Sequence, residues 1–453
     1  MKITFITPHV GRKNSKEYVH TWQMEPLTIA TLVGLTPPDI EFAYYDERVE
    51  PINFDTPTDL AAITVETYTA KRAYEIATEY HSRGVKTLLG GYHVTLLPDE
   101  AQMYADSILV GYAEPLWTQV VRDAEKGMLQ RRYTQNKAQP YEYGMPRRDI
   151  FQGKPYFKLS CLETGRGCPL HCNFCSIAAV TSSRYNGRPI DGIVAEIAAL
   201  KNRNVFFVDD NFVGNLRHAR DLCHEIAPLK ITWVGQGTLN MARDEKLLEI
   251  MAESGCAGVL IGFESLRHDT LQLMDKKLNV VMGDYKKLID RLHRYGIGLY
   301  GTFIFGYDSE SANDTRHTAE AAIDFGLFIA AFNHLLPFPG TPLYEQFRQE
   351  GKLTDEEWWL SPTFRFGDVP FNPKNMTSQE LHDLCIKARK KFYSIPAIMQ
   401  RATNVKGNTP TLRKAGAFLG INALLRKEIG QKDGLPLGNL PVRPSPLYAE
   451  SAI

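Results

Sequence analysis

Gly165-Arg166-Gly167-Cys168-Pro169-Leu170-His171-Cys172-Asn173-Phe174-Cys175 places three cysteines in one short loop, spaced Cys-x3-Cys-x2-Cys, behind the strand-like run Tyr156 to Glu163. Thiolates are ligands that iron–sulfur clusters and zinc prefer. A structural zinc site or an electron-transfer cluster takes four protein ligands, so the loop is one ligand short of a closed site. A zinc knob would need a fourth ligand nearby, and within the loop His171 is the only candidate. Unrelated core cysteines are the other alternative.

The same loop, with Gly165-Arg166-Gly167 before the cysteines and Phe174 between the last two, resembles the cluster loop of the radical S-adenosylmethionine (SAM) superfamily. In that family three cysteines hold a [4Fe-4S] cluster whose open iron binds the amino and carboxylate groups of SAM. The resemblance implies that Cys168, Cys172 and Cys175 are the metal ligands and that Phe174 lies against SAM. It also implies one-electron cleavage of SAM, giving methionine and a 5′-deoxyadenosyl radical that abstracts hydrogen from a substrate.

Length, composition and charge narrow the remaining possibilities. The chain has 453 residues, 43% of them hydrophobic, which is enough for two or three domains with large cores. Lys plus Arg equal Asp plus Glu at 52 each, which argues against a nonspecific electrostatic role at nucleic acid or a membrane surface for the chain as a whole. Because the amino terminus enters strand pattern at once and no apolar run reaches transmembrane length, we expect a cytoplasmic protein without a membrane span.

The remaining cysteines lie in scattered apolar surroundings and are interpreted as core residues: Cys161, Cys223, Cys256 and Cys385. Seven cysteines in so long a chain fit a reducing compartment better than a disulfide framework. Cys161 lies closest in sequence to the cluster loop and is therefore a lesser candidate for the metal site.

The first 130 residues alternate short β-rich runs with helical stretches. Strands are predicted at Lys2–Thr7, Ile40–Tyr45, Leu60–Val65, Thr87–Leu89 and Ser107–Val110, and helices at Pro26–Gly34, Ala70–Arg83 and Leu116–Gly127. Such alternation predicts an α/β fold with a doubly wound, flavodoxin-like parallel sheet and helices on both faces. Ligands of such sheets bind at the carboxyl ends of the strands, near the switch in strand order.

Two stretches at these strand ends, Gly90 to Pro98 and Val110 to Glu114, resemble the cobalamin-binding domain that precedes the catalytic domain of many radical SAM enzymes. The resemblance implies corrin contacts at Thr67, Tyr68, Gly90, Gly91, His93, Thr95, Gly111 and Glu114. The Asp-x-His-x-x-Gly motif that supplies a histidine to cobalt in several cobalamin enzymes is absent. Cobalamin held without a protein ligand below the cobalt, and a domain that has lost cobalamin, are both open. Gly90-Gly91 also fits a tight strand-to-helix turn, since glycine adopts backbone angles that other residues avoid, and His93 fits a local hydrogen bond.

The alternation of strands and helices resumes at Tyr156. Six strands are predicted, at Tyr156–Glu163, Asn204–Val208, Ile231–Val234, Gly258–Gly262, Gly298–Phe305 and Phe328–Leu335. Six strand–helix units fit the partial (β/α)6 barrel of radical SAM enzymes, in which chemistry gathers at the carboxyl ends of the strands. We therefore predict a doubly wound domain over 1–130, a linker over 131–155, the barrel over 156–365, a helical extension over 366–440 and a flexible tail over 441–453.

Residues at the barrel strand ends are further candidates for contacts with SAM. The resemblance implies such contacts for Asp209 and Asn211 after the second strand, Gln236 after the third, Glu264 after the fourth and Phe303 in the fifth. A turn of acids and an amide after a buried strand is also a routine helix start, and Glu264 equally fits a helix-capping carboxylate. The sequence assigns no catalytic residue.

These observations predict a radical SAM enzyme that modifies a small or medium organic substrate. Because relatives with a cobalamin domain often methylate carbon or phosphorus, the predicted reaction is cobalamin-dependent methylation with a [4Fe-4S] cluster and SAM. One alternative is an enzyme whose first domain binds no cobalamin and which catalyses a rearrangement, cyclisation or group transfer. A non-catalytic iron–sulfur or zinc protein is the alternative from another class. A flavodoxin or ferredoxin is expected to supply electrons, and no nucleic acid is expected as a partner.

Overall fold

Two chain units, each built on its own parallel sheet, account for the residues 1–11, 23–136 and 143–439 that the computed structural model describes. The first unit comprises Met1–Phe157, Asp355–Gly367 and Asp433–Ile453, as far as the described residues extend. The second comprises Lys158–Thr354 and Asp368–Lys432. The predicted tail, 441–453, lies outside the described residues.

The sheet of the first unit contains six parallel strands in the order β2-β1-β3-β4-β5-β6. The strands are β1 (Lys2–Thr7), β2 (Glu41–Asp46), β3 (Leu60–Thr64), β4 (Lys86–Gly90), β5 (Ser107–Val110) and β6 (Arg132–Thr134). The first five follow the flavodoxin-like order and confirm the predicted strands to within one residue at each end. The short β6 falls in the predicted linker, where only its pairing with β5 identifies it as a strand.

Helices cover this sheet as a doubly wound fold requires. They are α1 (Leu27–Leu35), α2 (Ala70–Ser82), α3 (Tyr92–Leu96), α4 (Pro98–Gln102) and α5 (Glu114–Glu125). Helices α1 and α5 share one hydrophobic core with β1, in which the rings of Phe5 and Trp117 lie 5.5 Å apart. Helix α2 contacts β3 and β4 with a separate set of buried side chains. The α/β fold predicted for this unit is confirmed.

Two short segments distant in sequence complete the first unit. Trp358 and Trp359, in Asp355–Gly367, are buried, and Phe366 donates its backbone N–H to the carbonyl of Leu435 at 2.7 Å. The chain units therefore differ from the predicted division, which assigned 355–365 to the barrel and 433–440 to the helical extension. Aromatic side chains of the first segment, rather than its position in the sequence, determine which core it joins.

The second unit contains a six-stranded parallel sheet in which each strand pairs with its neighbour in sequence. The strands of this sheet are β7 (Ser160–Leu162), β10 (Asn204–Phe207), β11 (Thr232–Gly237), β12 (Cys256–Glu264), β13 (Gly298–Phe305) and β14 (Ile329–His334). Two further strands, β8 (Gly165–Arg166) and β9 (Asn186–Gly187), form a separate antiparallel ribbon. The order β7-β10-β11-β12-β13-β14 is that of a partial barrel and confirms the six predicted strands, although β7 is shorter than predicted and β11 and β12 are longer.

Thirteen helices lie in the described part of this unit. They are α6 (Ser176–Thr181), α7 (Ile190–Ala199), α8 (Leu216–Ile226), α9 (Glu245–Glu253), α10 (His268–Leu273), α11 (Lys277–Val280), α12 (Tyr285–Arg294), α13 (Ala312–Asp324), α14 (Pro342–Gln349), α15 (Ser378–Phe392), α16 (Ile395–Ala402), α17 (Val405–Asn408) and α18 (Leu412–Lys427). No helix in the described residues combines the length and hydrophobicity needed to cross a membrane.

The two faces of this sheet differ in burial. On the helix-covered face, the rings of Phe263, Phe303 and Phe332 stack with centroids 5.5 Å apart, and Phe332 meets Phe392 of α15. The other face, which we call the inner face, carries half-buried side chains that the strand register aligns: Gln236, Leu260, Tyr300, Thr302 and Ile304. The inner face is therefore the surface on which a partial barrel holds its ligands.

Helices α16 to α18, which we call the C-terminal cap, cover the amino ends of the strands. Arg401 donates to the carbonyls of Leu327 and Phe328 at 3.0 and 3.1 Å, just before β14. Lys414 donates to the carbonyls of Ala257 and Gly296 at 2.8 and 2.6 Å. The cap therefore lies at the end of the sheet opposite to the carboxyl ends of the strands.

Candidate active site

The cysteine loop is anchored through Asn173, which lies between Cys172 and Phe174. Its backbone N–H donates to Met274 O at 3.2 Å and its side-chain amide donates to Leu273 O at 2.8 Å. Its side-chain oxygen accepts a hydrogen bond from the hydroxyl of Tyr307 at 3.1 Å. These bonds tie the loop to segments that follow β12 and β13. Sequence reasoning missed Asn173, because an asparagine inside a loop carries no signal of such distant partners.

The start of the loop is held by the two acids that follow β10. Asp209 accepts the backbone N–H of Thr164 at 2.6 Å and also the hydroxyl of that residue. Asp210 accepts the backbone N–H of Gly167 at 2.7 Å. Burial raises the pKa of Asp209 to about 7 and also raises the pKa of Asp210. The structure thus corrects the interpretation of Asp209, whose carboxylate holds Thr164 instead of facing the inner face.

Gly167 is required by this geometry. Its φ is +84°, and a Cβ at this position would lie 1.9 Å from the carbonyl oxygen of Arg184. Glycine alone adopts this backbone angle freely and leaves room for that carbonyl. The glycine before Cys168 therefore sets the path by which the chain enters the cysteine loop.

Cys168, Cys172 and Cys175 are free thiols. Burial raises the pKa of Cys172 to about 12 and also raises that of Cys175, although Lys276 acts in the opposite direction on both. The side-chain nitrogen of Asn211 lies 3.5 Å from the Sγ of Cys168. With their raised pKa values, the thiols of Cys172 and Cys175 are neutral at pH 7 unless a metal displaces their protons.

The fit of these residues to a metal distinguishes the predicted cluster from the zinc alternative. Within the described residues, no three His, Cys, Asp or Glu side chains converge on a point suited to a single metal ion. His171, the fourth ligand that a zinc knob would need, is exposed. A [4Fe-4S] cluster with one open iron takes one cysteine at each of its three other irons, and three thiols without a fourth protein ligand match that donor set. The three cysteines fit such a cluster.

A second observation supports a ligand beside Cys168. The side-chain oxygen of Asn211 is buried and has no hydrogen-bond partner among the described residues. Leaving a buried acceptor unpaired costs about 1–3 kcal/mol. This oxygen is therefore suited to accept a hydrogen bond from a bound molecule.

Glu264 and Lys276 form a buried ion pair at the carboxyl end of β12. The Nζ of Lys276 lies 2.6 Å from Glu264 Oε1, and both side chains are less than a tenth exposed. A Cβ at Gly262, which is aligned with Thr302 on the inner face, would lie 2.8 Å from the Nζ. Burial alone would lower the pKa of Lys276, but Glu264 and the nearby thiols outweigh it and raise the pKa. The lysine is therefore a charged group beside the cysteine loop.

The sequence analysis predicted Glu264 and missed Lys276. A lysine in a polar stretch resembles the many lysines that lie at protein surfaces, so only its burial identifies it. Glu264 has a φ of +62°, and the side-chain amide of Asn279 supports this turn by donating to the carbonyls of Gly262 and Phe263, both at 3.1 Å. The backbone of Glu264 thus adopts a conformation that is rare for residues other than glycine.

The other predicted SAM contacts have different surroundings. Gln236 lies on the inner face and donates to Asp210 O at 3.0 Å, which places it near the start of the cysteine loop. Phe174 is half-buried and packs against the core of this unit. Phe303 is fully buried in the ring stack on the helix-covered face. The structure therefore corrects the interpretation of Phe303, whose ring packs in the core instead of facing SAM.

A further buried carboxylate, Glu310, connects the ends of β12 and β13. It accepts the backbone N–H groups of Gly306 and Tyr307 at 2.8 and 3.2 Å and the hydroxyl of Ser265 at 3.1 Å. Burial raises the pKa of Glu310 to about 7. Since Ser265 follows Glu264 directly, Glu310 helps to position the ion pair.

In the first unit, His93 is enclosed and both its ring nitrogens have partners. Nδ1 lies 3.2 Å from the hydroxyl of Thr67, and Nε2 lies 3.0 Å from a carboxylate oxygen of Glu100. Glu100 also accepts hydrogen bonds from Tyr74 at 2.7 Å and Trp359 at 2.9 Å. Because His93 has no exposed surface, this network corrects its inclusion among corrin contacts and agrees with a local hydrogen bond.

Other predicted corrin contacts lie together at the carboxyl edge of this sheet. Thr95 donates its hydroxyl to Gly91 O at 2.9 Å and accepts the N–H of Gly111 at 3.0 Å. Gly91 has a φ of +119°, and a Cβ there would lie 2.7 Å from Val65 O. Gly90 ends β4 and Glu114 begins α5. The glycines therefore allow neighbouring strand ends to approach closely.

Tyr68 is held between aromatic side chains. Its ring lies 5.5 Å from that of Trp358 and 4.9 Å from that of Phe366. Both partners belong to the segment Asp355–Gly367, which sequence reasoning had not placed in this unit. The ring of Tyr68 is thus fixed by packing against that segment.

A cavity of about 230 Å³ opens in the first unit beyond the carboxyl ends of β1 and β2, beside His9, Glu47 and Arg72. Arg72 forms an ion pair with Glu47 at 2.6 Å. The cavity is smaller than the pockets of about 300–1,000 Å³ that ordinarily hold ligands. It therefore does not define a corrin site.

Known proteins resemble this chain in both sequence and fold. Residues 162–322 match the family model of the radical SAM superfamily. Bacteriochlorophyllide d C-12(1)-methyltransferase of Chlorobaculum tepidum is 29% identical over 390 residues, covering 83% of this chain and 84% of that protein. Bacteriochlorophyllide d C-8(2)-methyltransferase of the same organism is 28% identical over 354 residues, covering 73% of this chain and 78% of that protein.

The solved structure of the radical SAM methyltransferase TsrM from Kitasatospora setae, with cobalamin and a [4Fe-4S] cluster bound, has a TM-score of 0.58 and 18% identity. It covers 76% of this chain and 75% of that one, and the likeness is one of fold. The cysteine loop, the two parallel sheets and these matches define the class. Residues 162–322 therefore form a radical SAM domain, and the chain is a radical SAM enzyme.

Proposed function

We propose that this enzyme cleaves SAM at a [4Fe-4S] cluster held by Cys168, Cys172 and Cys175 and performs cobalamin-dependent methylation of an organic substrate. The observation that carries the proposal is the unpaired, buried oxygen of Asn211, whose amide nitrogen lies 3.5 Å from Cys168 Sγ. A ligand with a hydrogen-bond donor beside the cysteine loop would satisfy this oxygen. SAM, with its ammonium and ribose hydroxyls, is such a ligand.

The charged pair on the inner face supports the binding of the methionine moiety. In the proposal, Lys276 receives the carboxylate of SAM, and Glu264 accepts hydrogen bonds from its ammonium or ribose hydroxyls. The lysine has one described hydrogen bond, to Glu264, and an ammonium has three donors. When bound, the cluster supplies one electron to the sulfonium of SAM, and cobalamin supplies the methyl group.

Methylation is supported by the two bacteriochlorophyllide methyltransferases. The inner face supports an organic substrate with an apolar part, because Leu260, Tyr300 and Ile304 give part of it an apolar lining beside the charged pair. Large ring compounds with alkyl side chains are therefore the first substrates to test. The wall they would contact is apolar, so burial of apolar surface would provide the main binding free energy.

In the proposal, the first unit holds cobalamin without a histidine below the cobalt. Its flavodoxin-like strand order and the glycines at the ends of β4 and β5 support binding at the carboxyl edge. The hydrogen bonds of His93 to Thr67 and Glu100 support the absence of a histidine ligand. A reducing cytoplasm, with flavodoxin or ferredoxin as the electron donor, suits the free thiols and the proposed cluster.

The test is anaerobic reconstitution with iron and sulfide, followed by reduction in the presence of SAM and hydroxocobalamin. We expect 5′-deoxyadenosine, S-adenosylhomocysteine and a retained corrin. Cys172→Ala should lose the cluster signal in electron paramagnetic resonance and all 5′-deoxyadenosine, whereas the control Cys385→Ala should keep both. No SAM cleavage by a fully reconstituted cluster would refute the enzyme proposal. Cleavage without corrin retention would favour the cobalamin-free alternative.

A further inference from the structure

The outer surface of the C-terminal cap is unusually apolar. Eleven large apolar side chains are exposed in the described residues, and five of them lie within 395–419: Ile395, Met399, Val405, Leu412 and Leu419. Leu412 is 95% exposed. Helices α16, α17 and α18 contact one another, so these side chains belong to one part of the unit. Concentrated apolar exposure marks a surface that meets a partner or a membrane.

Helix α18 presents different faces to the protein and to solvent. Phe418 and Asn422 are buried; the ring of Phe418 lies 5.1 Å from that of Phe328, and Asn422 donates to Phe328 O at 3.1 Å. Four exposed positions at steps of four, three and four residues form what we call the α18 stripe, which lies about 100° around the helix from the packed face: Leu412, Gly416, Leu419 and Ala423. A helix ordinarily buries such a stripe, and here the packed face is the other one.

Positive charge surrounds the stripe. Residues 395–432 contain seven basic residues and one acidic residue, Glu428, although the whole chain is neutral. Arg401 and Lys414 are occupied by backbone carbonyls within the unit. The others include four exposed residues that form no ion pair in the described part of the chain: Lys406, Arg413, Arg426 and Lys427. Arg413 and Arg426 each donate one hydrogen bond to a neutral acceptor, Asn204 Oδ1 at 2.8 Å and Tyr393 O at 3.0 Å, which leaves their charges unneutralised. Unneutralised cations beside exposed apolar groups complement an anionic, apolar interface.

We propose that the outer surface of the C-terminal cap docks this enzyme onto an anionic lipid surface. Lys406, Arg413, Arg426 and Lys427 contact the headgroup phosphates, and Leu412 and Leu419 enter the boundary between headgroups and acyl chains. A second copy of the chain is a poorer occupant, because pairing this face with itself would bring its unneutralised cations together. The surface lies at the amino ends of the strands, so docking leaves their carboxyl ends uncovered by lipid.

Vesicle co-sedimentation of the purified full-length protein tests this proposal. We expect binding to phosphatidylcholine vesicles that contain phosphatidylglycerol, no binding to phosphatidylcholine alone, and weaker binding at high salt. Lys406→Glu combined with Lys427→Glu should lower the partition coefficient by roughly 30-fold or more, since each basic residue contributes about fivefold. The control pair Arg122→Glu and Lys126→Glu, at the carboxyl end of α5 and just after it, makes the same change in net charge and should leave binding unchanged.

A second matched pair of substitutions tests the apolar contribution to vesicle binding. Met399→Asp removes a side chain that is 57% exposed in the cap, and Met128→Asp removes one that is 59% exposed in the first unit. Met399→Asp alone should weaken vesicle binding, with circular dichroism unchanged in both variants. Equal binding to neutral and anionic vesicles would overturn the proposal. A concentration-dependent dimer in analytical ultracentrifugation that Met399→Asp abolishes, without vesicle binding, would overturn it in favour of a second copy.

Discussion

At the scale of single residues, the site depends on side chains with unusual burial. Lys276 is almost fully buried, yet its Nζ has one described hydrogen bond, to Glu264 at 2.6 Å. A buried ammonium with unused donors is costly unless a ligand completes its surroundings. This position explains why a lysine that looks ordinary in sequence belongs to the candidate SAM site.

Replacing this lysine should weaken SAM binding. Lys276→Met should raise the Kd of reconstituted enzyme for SAM about ten- to 100-fold, because a hydrogen bond to a charged group contributes about 1.5–3 kcal/mol. Anaerobic equilibrium dialysis measures the effect, and Lys277→Met, at the exposed neighbouring position, is the control. If combining Lys276→Met with Glu264→Gln restored the affinity, the effect would come from an unpaired carboxylate and not from a lost SAM contact.

His93 provides the second test at this scale. Because both ring nitrogens of His93 are hydrogen-bonded within the first unit and the Asp-x-His-x-x-Gly motif is absent, any bound cob(II)alamin should lack a histidine ligand. Electron paramagnetic resonance of the cobalt(II) form should therefore lack superhyperfine splitting from an axial protein nitrogen, in the wild type and in His93→Gln alike. Splitting that disappears in His93→Gln would contradict this expectation.

At the scale of elements, strand ends are joined by buried carboxylates. Glu310 binds the backbone after β13 and the hydroxyl of Ser265 after β12. Asp209 and Asp210 likewise join the end of β10 to the start of the cysteine loop. Short polar links of this kind hold loops at a shared edge without requiring a continuous core.

The raised pKa of Glu310 predicts a pH-dependent stability. Burial raises it from about 4.5 to about 7, so the folded state holds the proton more tightly than the unfolded state. This contribution to the free energy of unfolding is fully present below about pH 4.5 and is lost as the pH rises through about 7. Relative to Glu310→Gln, the wild type should therefore lose about 3 kcal/mol over this range.

Denaturant unfolding followed by circular dichroism at several pH values measures this difference. Glu249→Gln, at an exposed position on α9, is the control and should follow the wild type. A constant difference between the wild type and Glu310→Gln across this pH range would contradict the prediction.

At the scale of the whole molecule, the first unit depends on a chain segment from near the carboxyl terminus. Leu435 and Leu437 are 6% and 1% exposed. The backbone of Gly434 donates to Phe366 O at 2.9 Å, and that of Asn439 donates to Glu75 at 2.6 Å. A fold predicted to end at residue 130 is therefore completed more than 300 residues later in the sequence.

Removing that segment should destabilise the first unit. Truncation after Lys432 should cost about 3–6 kcal/mol, the transfer free energy of two buried leucines. Hydrogen exchange should then accelerate in β3 and β4 and stay unchanged in β11 and β13. Truncation after Asn439 keeps the described contacts and serves as the control. Equal protection of β3 in the two truncated proteins would refute the dependence.

The sequence by itself determined the class of the molecule. The cysteine spacing, the six barrel strands and the first five strands of the amino-terminal sheet were all predicted, because periodicity and motif spacing are properties of neighbouring residues. The same local signals identified Glu264 and Asn211 as candidates. They could not distinguish Phe303, which packs in a ring stack, from a residue facing the inner face.

The tertiary structure alone decided which distant residues meet. Asn173 and Tyr307 are 134 residues apart, and Trp359 reaches Glu100 across 259 residues. Such pairings depend on how strands and helices pack, and patterns among neighbouring residues in the sequence do not predict that packing. Burial is decided in the same way: Lys276 is enclosed while Lys406 and Lys427 are exposed. The net charge of the whole chain therefore predicted neither the charged pair at the active site nor the basic surface of the C-terminal cap.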